Sequence, residues 1–331
     1  MKRGLVLGKF APLHKGHQLL IERSLAECGE TFVLVYDAPE VTRVPIGIRA
    51  NWIRRLYPTA YVIEGPGAPG ATGRTAEVMK MQEDYIRSML PKPITDFFSS
   101  EWYGEHVSMA LGARDVRVDE TRSAVPVSGT KIRTDAWANR AWVAPLVYRD
   151  LVQPVVLLGA ESTGKSTLAE MLAKEFSTVW VPELGRDYWI RHKRHDGTLG
   201  SEQLTELAQL HLASEEKARG DARRLLFVDT DARITRQYAR WYHEGEVAAE
   251  LNALAEAARA RYPLAVLCSD DIAYVQDGTR VGDGRRRIAQ DELRDELTAS
   301  GVHWIEARGT IRERVNMVKE EIARLDLLSW R

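Results

Sequence analysis

Short apolar runs alternate with longer amphipathic segments over residues 1 to about 133. The apolar runs are GLVL (4–7), TFVLV (31–35), YVI (61–63), DFFSS (96–100) and VRVDE (116–120). HQLLIERSLAECG (17–29) and IRANWIRRLYP (48–58) lie between the first three runs and have the periodicity of helices. Strands that are covered on both faces are continuously apolar, and helices alternating with them indicate βαβ units. The pattern predicts a parallel, doubly wound α/β sheet.

The same alternation begins again at about Val155. VVLL (155–158) precedes the helical segment 165–176, a long helical region runs from about Ser201 to Arg219, and the further apolar runs are TVWVPE (178–183), LLFVD (225–229), LAVLC (264–268) and VHWIE (302–306). Residues 134–154 lack the apolar alternation of a strand, and we predict a short helix and the connection between domains there. Since 331 residues exceed what one core usually supports, we expect two α/β domains, 1–145 and 153–331.

Composition narrows the class of protein. The 46 basic and 47 acidic residues give a net charge of -1, which offers no global attraction for nucleic acid or an anionic membrane. The two cysteines, Cys28 and Cys268, lie far apart without metal-ligand spacing, as expected for reduced thiols in a cytosol. No window approaches the roughly 18 apolar residues of a membrane span. We therefore expect a cytoplasmic protein with small-molecule partners, no DNA and no membrane insertion; the sequence leaves open whether it forms a homo-oligomer.

GAESTGKST (159–167) carries the strongest local motif. It fills the pattern G-x-x-x-x-G-K-[ST] between a predicted strand and a predicted helix. In such a loop the backbone N–H groups cradle the β-phosphate, the lysine bridges the β- and γ-phosphates, and the hydroxyl binds Mg²⁺. The motif predicts an ATP and Mg²⁺ site whose contacts are Gly159, Glu161, Ser162, Thr163, Gly164, Lys165, Ser166 and Thr167.

Acidic residues follow two of the strands near this loop. Asp229 ends LLFVD and is predicted to bind Mg²⁺, with a helix N-cap as the alternative; for Asp231 the metal and the cap are about equally favoured. PELGRDY (182–188) places Glu183, Arg186 and Asp187 where a small-molecule kinase has the carboxylate base for its acceptor hydroxyl, unless this is a surface turn.

DGTRVGDGRRR (277–287) sets several arginines among glycines. The combination suits a lid that clamps a triphosphate, with Arg280 and Arg287 as the predicted contacts. A solvated basic loop is the alternative.

The first domain has its own candidate phosphate site. His14 and His17 flank Gly16 after the first strand, at the edge where an open α/β sheet binds ligand. Two imidazoles there can donate to an α-phosphate and to the leaving pyrophosphate, although one histidine alone would as readily satisfy a core carbonyl. In PVSGTKIRTD (126–135), a strand-like run is followed by residues of the types that cap a helix, and then by two cations, Lys131 and Arg133. This combination favours a second phosphate contact in the same domain.

GKFAPLHKGH (8–17) and SGTKIR (128–133) resemble the HxGH and SxTxIR signatures of the nucleotidylyltransferases. With a P-loop kinase motif following, the order is similar to that of the bifunctional nicotinamide-nucleotide adenylyltransferase/ribosylnicotinamide kinases, the NadR family. The likeness extends to TRVPIGIRANWI (42–53), FSSEWYG (98–104), ELGRDY (183–188), FVDTD (227–231) and DGTR (277–280).

This resemblance, rather than composition or spacing, implies nicotinamide substrates. It implies that the second domain phosphorylates nicotinamide riboside to the mononucleotide (NMN), and that the first transfers AMP from ATP to NMN, giving NAD and pyrophosphate. Glu183 or Asp231 would be the acceptor-side carboxylate of the kinase, and Arg49 and Trp52 would lie on the NMN side. Contacts to ATP in the first domain would come from Gly8, Lys9, Phe10, His14, His17, Ser128, Thr130, Lys131 and Arg133.

Two alternatives stay open. The same architecture could act on a different acceptor, or the protein could bind NAD or ATP as a sensor without turnover. Larger members of the family carry an N-terminal DNA-binding helix-turn-helix, and since the first strand is predicted within four residues of Met1, we expect an enzyme without repressor function.

Overall fold

A computed structural model of the chain describes residues 1–70, 73–274 and 283–330. The chain divides into two compact units between Leu151 and Val152. The first unit comprises Met1–Leu151 together with Ser329 and Trp330, and the second comprises Val152–Leu328. The predicted boundaries at 145 and 153 lie on either side of this division.

The first unit is built on a five-stranded parallel sheet in the order β3-β2-β1-β4-β5. A short 3-10 turn at Arg140–Trp142 precedes its last helix. The elements in chain order are β1 (Arg3–Gly8), α1 (Lys15–Glu27), β2 (Glu30–Tyr36), α2 (Ile46–Leu56), β3 (Tyr61–Gly65), α3 (Ala76–Met89), β4 (Asp96–Ser99), α4 (Gly104–Leu111), β5 (Arg114–Arg117), α5 (Gly129–Thr134) and α6 (Pro145–Leu151).

Strand β1 lies at the centre of this sheet because both of its faces are apolar. Leu5 pairs with Phe32 of β2 and Phe97 of β4, and all three side chains are buried. Burial of such side chains removes about 25 cal/mol of unfavourable hydration per Å² of apolar surface, which fixes the register of the central strands.

Two sequence-based details were wrong. The last strand covers Arg114–Arg117 rather than 116–120, and the strand-like run before Ser128 forms no strand. The Asp119 carboxylate accepts the backbone N–H groups of Ala124 (3.0 Å) and Val125 (2.9 Å), so a side chain replaces the ladder hydrogen bonds of a strand there.

The second unit has another five-stranded parallel sheet, in the order β10-β9-β6-β8-β7. The predicted fold class, two doubly wound α/β domains on parallel sheets, is confirmed. Its elements are β6 (Gln153–Leu158), α7 (Lys165–Glu175), β7 (Trp180–Val181), α8 (Gly185–His192), α9 (Ser201–Ala218), β8 (Leu225–Asp229), α10 (Ala232–Tyr242), α11 (Ala249–Arg261), β9 (Leu264–Cys268), α12 (Asp283–Ser300), β10 (Trp304–Ala307) and α13 (Ile311–Arg324).

Helices α7 and α13 cover one face of this sheet. Leu168 and Leu172 of α7, with Val318 of α13, pack on Val155 and Phe227 of the central strands, and all five side chains are fully buried. The burial holds the P-loop, which connects β6 to α7, at the carboxyl edge of the sheet. Within the described ranges, no helix combines the length and the apolar character that crossing a membrane requires.

Candidate functional site

A cavity of about 380 Å³ opens at the carboxyl edge of the first sheet, and the two histidines form part of its wall. Their imidazole rings are stacked with centroids 3.8 Å apart, and Phe10 meets the His17 ring edge-on at 4.9 Å. Phe10 is fully buried with φ at 45° and does not itself line the cavity. Its role in the structure is therefore to support His17 rather than to contact a ligand.

The tautomers of both histidines follow from the start of α1. His14 is the N-cap: its Nδ1 accepts the Gly16 N–H (3.1 Å), while His17 Nδ1 accepts the His14 N–H (3.4 Å). A ring nitrogen that accepts carries no proton, so each neutral ring must hold its proton on Nε2. Each Nε2–H is therefore available as a donor.

Burial keeps both rings neutral. It lowers the pKa of His14 from 6.5 to about 4, and the Arg122 and Arg133 cations act in the same direction. Burial, together with the adjacent His14, also holds the pKa of His17 well below its usual range. At neutral pH the two side chains are dipolar donors and carry no charge.

The other predicted contacts of this cavity are only partly brought together. Gly8, Lys9 and Ser128 line it, and the Lys9 ammonium lies 2.5 Å from the Glu40 carboxylate. The Ser128 hydroxyl caps α5 by accepting the Lys131 N–H (3.2 Å). Three further predicted side chains do not line the cavity: Thr130 accepts from Arg133 (3.2 Å), Lys131 donates to the Pro126 carbonyl (3.3 Å), and Arg133 also donates to the Ala11 carbonyl.

Arg49 and Trp52 are structural in this molecule, in contrast to the prediction. Arg49 is 1% exposed and donates to the carbonyls of Val44 (3.0 Å) and Tyr36 (2.7 Å). Trp52 is fully buried, and its indole N–H donates to Asp150 (2.6 Å). Neither lines the cavity, because helical spacing turns this face of α2 toward the core.

Trp102 and Arg122 are among the side chains of this wall that sequence reasoning missed. Trp102, 44% exposed, lines the cavity with Arg74 stacked over its ring at 4.7 Å. Arg122 also lines it and is paired with Glu101 (2.7 Å). Trp102 lay within a segment quoted for the family resemblance, but an isolated tryptophan in a loop gave no independent signal.

In the second unit, the whole P-loop from Gly159 to Thr167 lines a cavity of about 360 Å³. Gly159 (φ 143°) and Gly164 (φ 82°) adopt conformations that a side chain disfavours, and a Cβ on Gly159 would lie 2.8 Å from the Cys268 carbonyl oxygen. The Lys165 ammonium donates to the Ala160 carbonyl (2.9 Å) and so lies across the loop. This is the curled backbone that the motif requires.

Ser166 and Asp229 meet beside the loop, as a metal-binding pair would. The Ser166 hydroxyl donates to Asp229 Oδ2 at 2.5 Å. Asp229 is fully buried at the end of β8, and its Oδ1 has no hydrogen-bond partner among the described residues. A buried carboxylate oxygen without a partner fits a hard cation.

The four predicted acceptor-side residues separate into two pairs. Glu183 and Arg186 line the cavity. Asp187 instead lies exposed on α8, 3.9 Å from Arg191. Asp231, predicted as either an acceptor-side carboxylate or a helix cap, is the N-cap of α10 and forms a buried ion pair with Arg233 (2.7 Å). The assignments of Asp187 and Asp231 to the substrate are therefore corrected.

Glu183 has the environment of a carboxyl that titrates above its usual range. Desolvation by the cavity walls raises its pKa, Lys165 opposes this effect, and Asp229 reinforces it. The side chain still reaches solvent inside the open cavity. A carboxylate whose pKa is raised is a stronger base than an ordinary carboxylate, as acceptance of a hydroxyl proton requires.

Among the arginines of the predicted lid, the structure favours Arg286. Its guanidinium donates to the carbonyls of Ser162 (3.2 Å) and Ile272 (2.9 Å) and lines the cavity. Arg287 is exposed and does not line it, because consecutive helical residues point about 100° apart. Arg280 lies outside the described residues.

The remaining wall was not predicted at all. It comes from α8, α9, α10 and the connection between β8 and α10, whose positions no local motif encodes. Its aromatic and polar members are Trp189, His211, Thr230, Tyr238, Trp241 and Tyr242.

Comparisons with known proteins extend over both units. A family model described as an AAA domain matches residues 154–314. The trifunctional NAD biosynthesis/regulator protein NadR of Escherichia coli (strain K12) is 28% identical over 310 residues, which cover 84% of this chain and 71% of that protein. NadR of Salmonella typhimurium is 27% identical over 351 residues, and the match covers 96% of this chain and 82% of that protein.

Solved structures show the same two-unit fold. A crystal structure of a NadR protein in complex with NR has a TM-score of 0.63 and 19% identity, covering 98% of this chain and 96% of that one. A second crystal structure, of a NadR protein in complex with NAD and AMP-PNP, has a TM-score of 0.61 and 18% identity, and it also covers 98% of this chain and 96% of that one. Fold and site together define a two-unit α/β enzyme in which one unit carries a P-loop. Over most of its length the chain is similar to the NadR proteins.

Proposed function

We propose that this protein is a bifunctional enzyme of NAD salvage. The second unit phosphorylates nicotinamide riboside with ATP to give NMN, and the first transfers AMP from a second ATP to NMN, giving NAD and pyrophosphate. One observation carries the proposal: a single chain, similar to NadR over 84% to 96% of its length, holds a paired-imidazole cavity in one unit and a P-loop cavity in the other.

The kinase step begins with the acceptor hydroxyl. Glu183 lines the cavity into which the P-loop opens, and its raised pKa suits a base that takes the proton of the 5′-hydroxyl as that oxygen attacks the γ-phosphorus. Lys165 and Arg286 supply positive charge for the transferring phosphoryl group. In the proposed kinase step, catalysis consists of positioning the substrates and stabilising charge, and it needs no covalent intermediate.

Mg²⁺ fits the residues beside the loop. The Ser166 hydroxyl and the unpartnered Oδ1 of the buried Asp229 would hold it. When bound, Mg²⁺ neutralises the charge that develops on the β- and γ-phosphates.

The walls of the kinase cavity suit a planar cationic ring. Trp189, Tyr238, Trp241 and Tyr242 line it, and aromatic faces attract cations by about 0.5 to 2 kcal/mol each. The nicotinamide ring of the riboside is a pyridinium and carries a positive charge. This chemistry favours the riboside over neutral nucleosides.

In the first unit, the two imidazoles act as fixed donors. Both Nδ1 atoms are occupied by backbone N–H groups, so both Nε2–H groups are free to donate to the α-phosphate of ATP and to the oxygen that bridges to the leaving pyrophosphate. Lys9, currently paired with Glu40, supplies a cation on the same wall. Attack by the NMN phosphate on the α-phosphorus then releases pyrophosphate without a covalent enzyme intermediate.

The experiment follows the full chain with nicotinamide riboside, ATP and Mg²⁺ by chromatography. We expect the wild type to make NAD, Lys165→Ala to leave the riboside unchanged, and His17→Ala to accumulate NMN. Lys174→Ala, an exposed lysine of α7 paired with Glu170, and His106→Ala, paired with Glu83 outside the cavity, are matched controls expected to make NAD.

Other outcomes identify the alternatives. If a panel of nucleosides yields a phosphorylated product but the riboside does not, the acceptor is different and the nicotinamide assignment is wrong. If the protein binds NAD tightly but forms none from NMN and ATP, the sensor interpretation replaces adenylyl transfer.

A further inference from the structure

Two polar atoms in the kinase cavity have no partner among the described residues. They are Nε2 of His211 and the hydroxyl oxygen of Thr230. The side chains are 7% and 6% exposed, and both line the cavity. Buried polar groups in native proteins are nearly always hydrogen-bonded, so two exceptions on one cavity wall indicate that a ligand supplies the missing bonds.

Other polar side chains of the same cavity are satisfied. The Thr163 hydroxyl donates to the Ala160 carbonyl (2.8 Å), and Gln237 donates to the Ala289 carbonyl (3.1 Å) and to Glu292 (2.8 Å). Tyr238 donates to Glu161 (2.5 Å). The missing partners at His211 and Thr230 contrast with these satisfied side chains.

His211 occupies a core position of α9. It continues the stripe formed by Leu204, Leu207 and Ala208, all of which are buried, and two of them line the cavity with it. A leucine at this position would continue the apolar stripe without the free-energy cost of removing a polar group from water. An imidazole there places one hydrogen-bonding nitrogen in an otherwise apolar wall.

Thr230 is held in a conformation that β-branched residues avoid. Its φ is 72°, and its N–H donates to the Leu157 carbonyl (3.0 Å) just after β8. The next residue, Asp231, is fixed as the N-cap of α10. Such strain persists where the surroundings impose it, and Thr230 is held in this conformation at the wall of the cavity.

Both side chains lie near the proposed phosphate-accepting end. Thr230 directly follows Asp229, and the pKa of the Glu183 carboxyl responds to Asp229 and to His211. In a nucleoside whose 5′-oxygen reaches Glu183, the sugar is the part that carries this oxygen, so its other hydroxyls lie within one ring of it. Each hydroxyl can donate and accept, so it can satisfy an imidazole nitrogen or a threonine hydroxyl.

From this arrangement we infer that His211 and Thr230 bind the 2′- and 3′-hydroxyls of the acceptor and make the kinase selective for ribosides over deoxyribosides. The inference rests on the proposed kinase function, and it specifies which groups of the acceptor the enzyme recognises. A site built to bond a hydroxyl rejects the analogue that lacks it, because its own buried groups are then left unpaired.

The test measures kcat/KM of the full chain for nicotinamide riboside and for its 2′-deoxy and 3′-deoxy analogues by ADP release. The variants are His211→Leu, which continues the apolar stripe, and Thr230→Val, which keeps the β-branched shape. His211→Gln places an amide nitrogen near the position of Nε2. Thr205→Val is the matched control, since Thr205 is buried on α9 outside the cavity and its hydroxyl already donates to the Ser201 carbonyl (3.0 Å).

We expect the wild type to prefer the riboside over at least one deoxy analogue by about 10- to 100-fold. His211→Leu and Thr230→Val should each reduce this preference toward one by losing activity on the riboside alone, His211→Gln should restore part of it, and Thr205→Val should keep it. A merely structural role would lower activity on all three substrates equally, and that result, or a wild type without preference, would overturn the inference.

Failure of the proposed function gives a different result. If wild type phosphorylates no nicotinamide riboside, the acceptor assignment has failed, and the same ratio is measured with adenosine, cytidine, guanosine and uridine against their 2′-deoxy and 3′-deoxy forms. Loss of the riboside preference in His211→Leu and Thr230→Val then still supports sugar recognition, whereas an unchanged ratio or no accepted riboside overturns it.

Discussion

Replacing His14 by asparagine separates the two roles of this side chain. Asparagine is a strong N-cap whose side-chain oxygen can accept the Gly16 N–H in place of Nδ1, so helix α1 keeps its cap. The variant loses the Nε2–H donor and the titrating ring. We expect adenylyl transfer to fall while folding at pH 7.5 is retained.

The size of the pH effect follows from burial. The pKa of His14 is about 4 in the folded protein against 6.5 in the absence of the fold. Because the folded value is the lower one, the unfolded chain takes up the proton first as the pH falls. The stabilisation is fully present above pH 6.5 and is lost progressively toward pH 4. At about 1.4 kcal/mol per pH unit the full loss is about 3.5 kcal/mol, of which about 2 kcal/mol has been lost by pH 5.

The assay is urea unfolding of the full chain at pH 7.5 and pH 5, with hydrogen exchange of peptides from β1 and β2 reporting on the first unit. Wild type should lose about 2 kcal/mol more than His14→Asn between the two pH values. In the variant, His17 no longer faces a second imidazole, which further weakens the pH dependence. Equal losses within about 0.5 kcal/mol would refute the claim that the fold keeps His14 neutral.

Three further predictions concern the second unit. Ser166→Ala removes the hydroxyl beside Asp229 and should lower ADP release with the riboside about 100-fold or more, while NAD formation from supplied NMN is unchanged. Glu183→Gln should abolish the rise of kcat/KM with pH that ionisation of a carboxyl with a raised pKa produces in the wild type, as a pH profile of the kinase reaction would show. Asp231→Ala leaves the Arg233 cation buried without its partner and should lower the free energy of unfolding by about 3 to 5 kcal/mol in urea titrations.

Each of these has a contradicting result. Ser166→Ala with unchanged kinase activity would exclude the hydroxyl from metal binding, and an unaltered pH profile in Glu183→Gln would assign the base elsewhere. If Asp231→Ala raises KM without loss of stability, the side chain serves the substrate after all. The double variant Asp231→Leu/Arg233→Met is the control, since it should recover part of the lost stability.

Local sequence predicted the parts of the site that lie within one loop. The P-loop needs only its glycines, Lys165 and Ser166 in order, and the histidine pair needs only a helix that is capped by His14, so residues within seven positions of each other contained the signal. Asp229 was predicted because a buried strand must end at the ligand edge of its sheet. These assignments depend on chain neighbours alone.

Assignments that depend on packing were the ones that failed. Arg286 and Arg287 are adjacent in sequence, and only the docking of α12 decides which one meets Ser162. In the same way, Trp52 turned out to be buried in the core, and Asp231 to be an N-cap paired with Arg233. In each case a polar or aromatic residue type has a structural and a functional use, and its identity does not distinguish them.

The sequence by itself determined the alternation of strands and helices, the division into two α/β units and the position of the two candidate phosphate-binding loops, because apolar periodicity and glycine-containing turns are local properties. Only the tertiary structure decided the wall of the P-loop cavity, since Trp189, His211, Thr230 and Tyr238 come from four segments that no short motif connects. It also decided the charge state of the histidines, because desolvation of His14 and His17 arises from side chains distant in sequence.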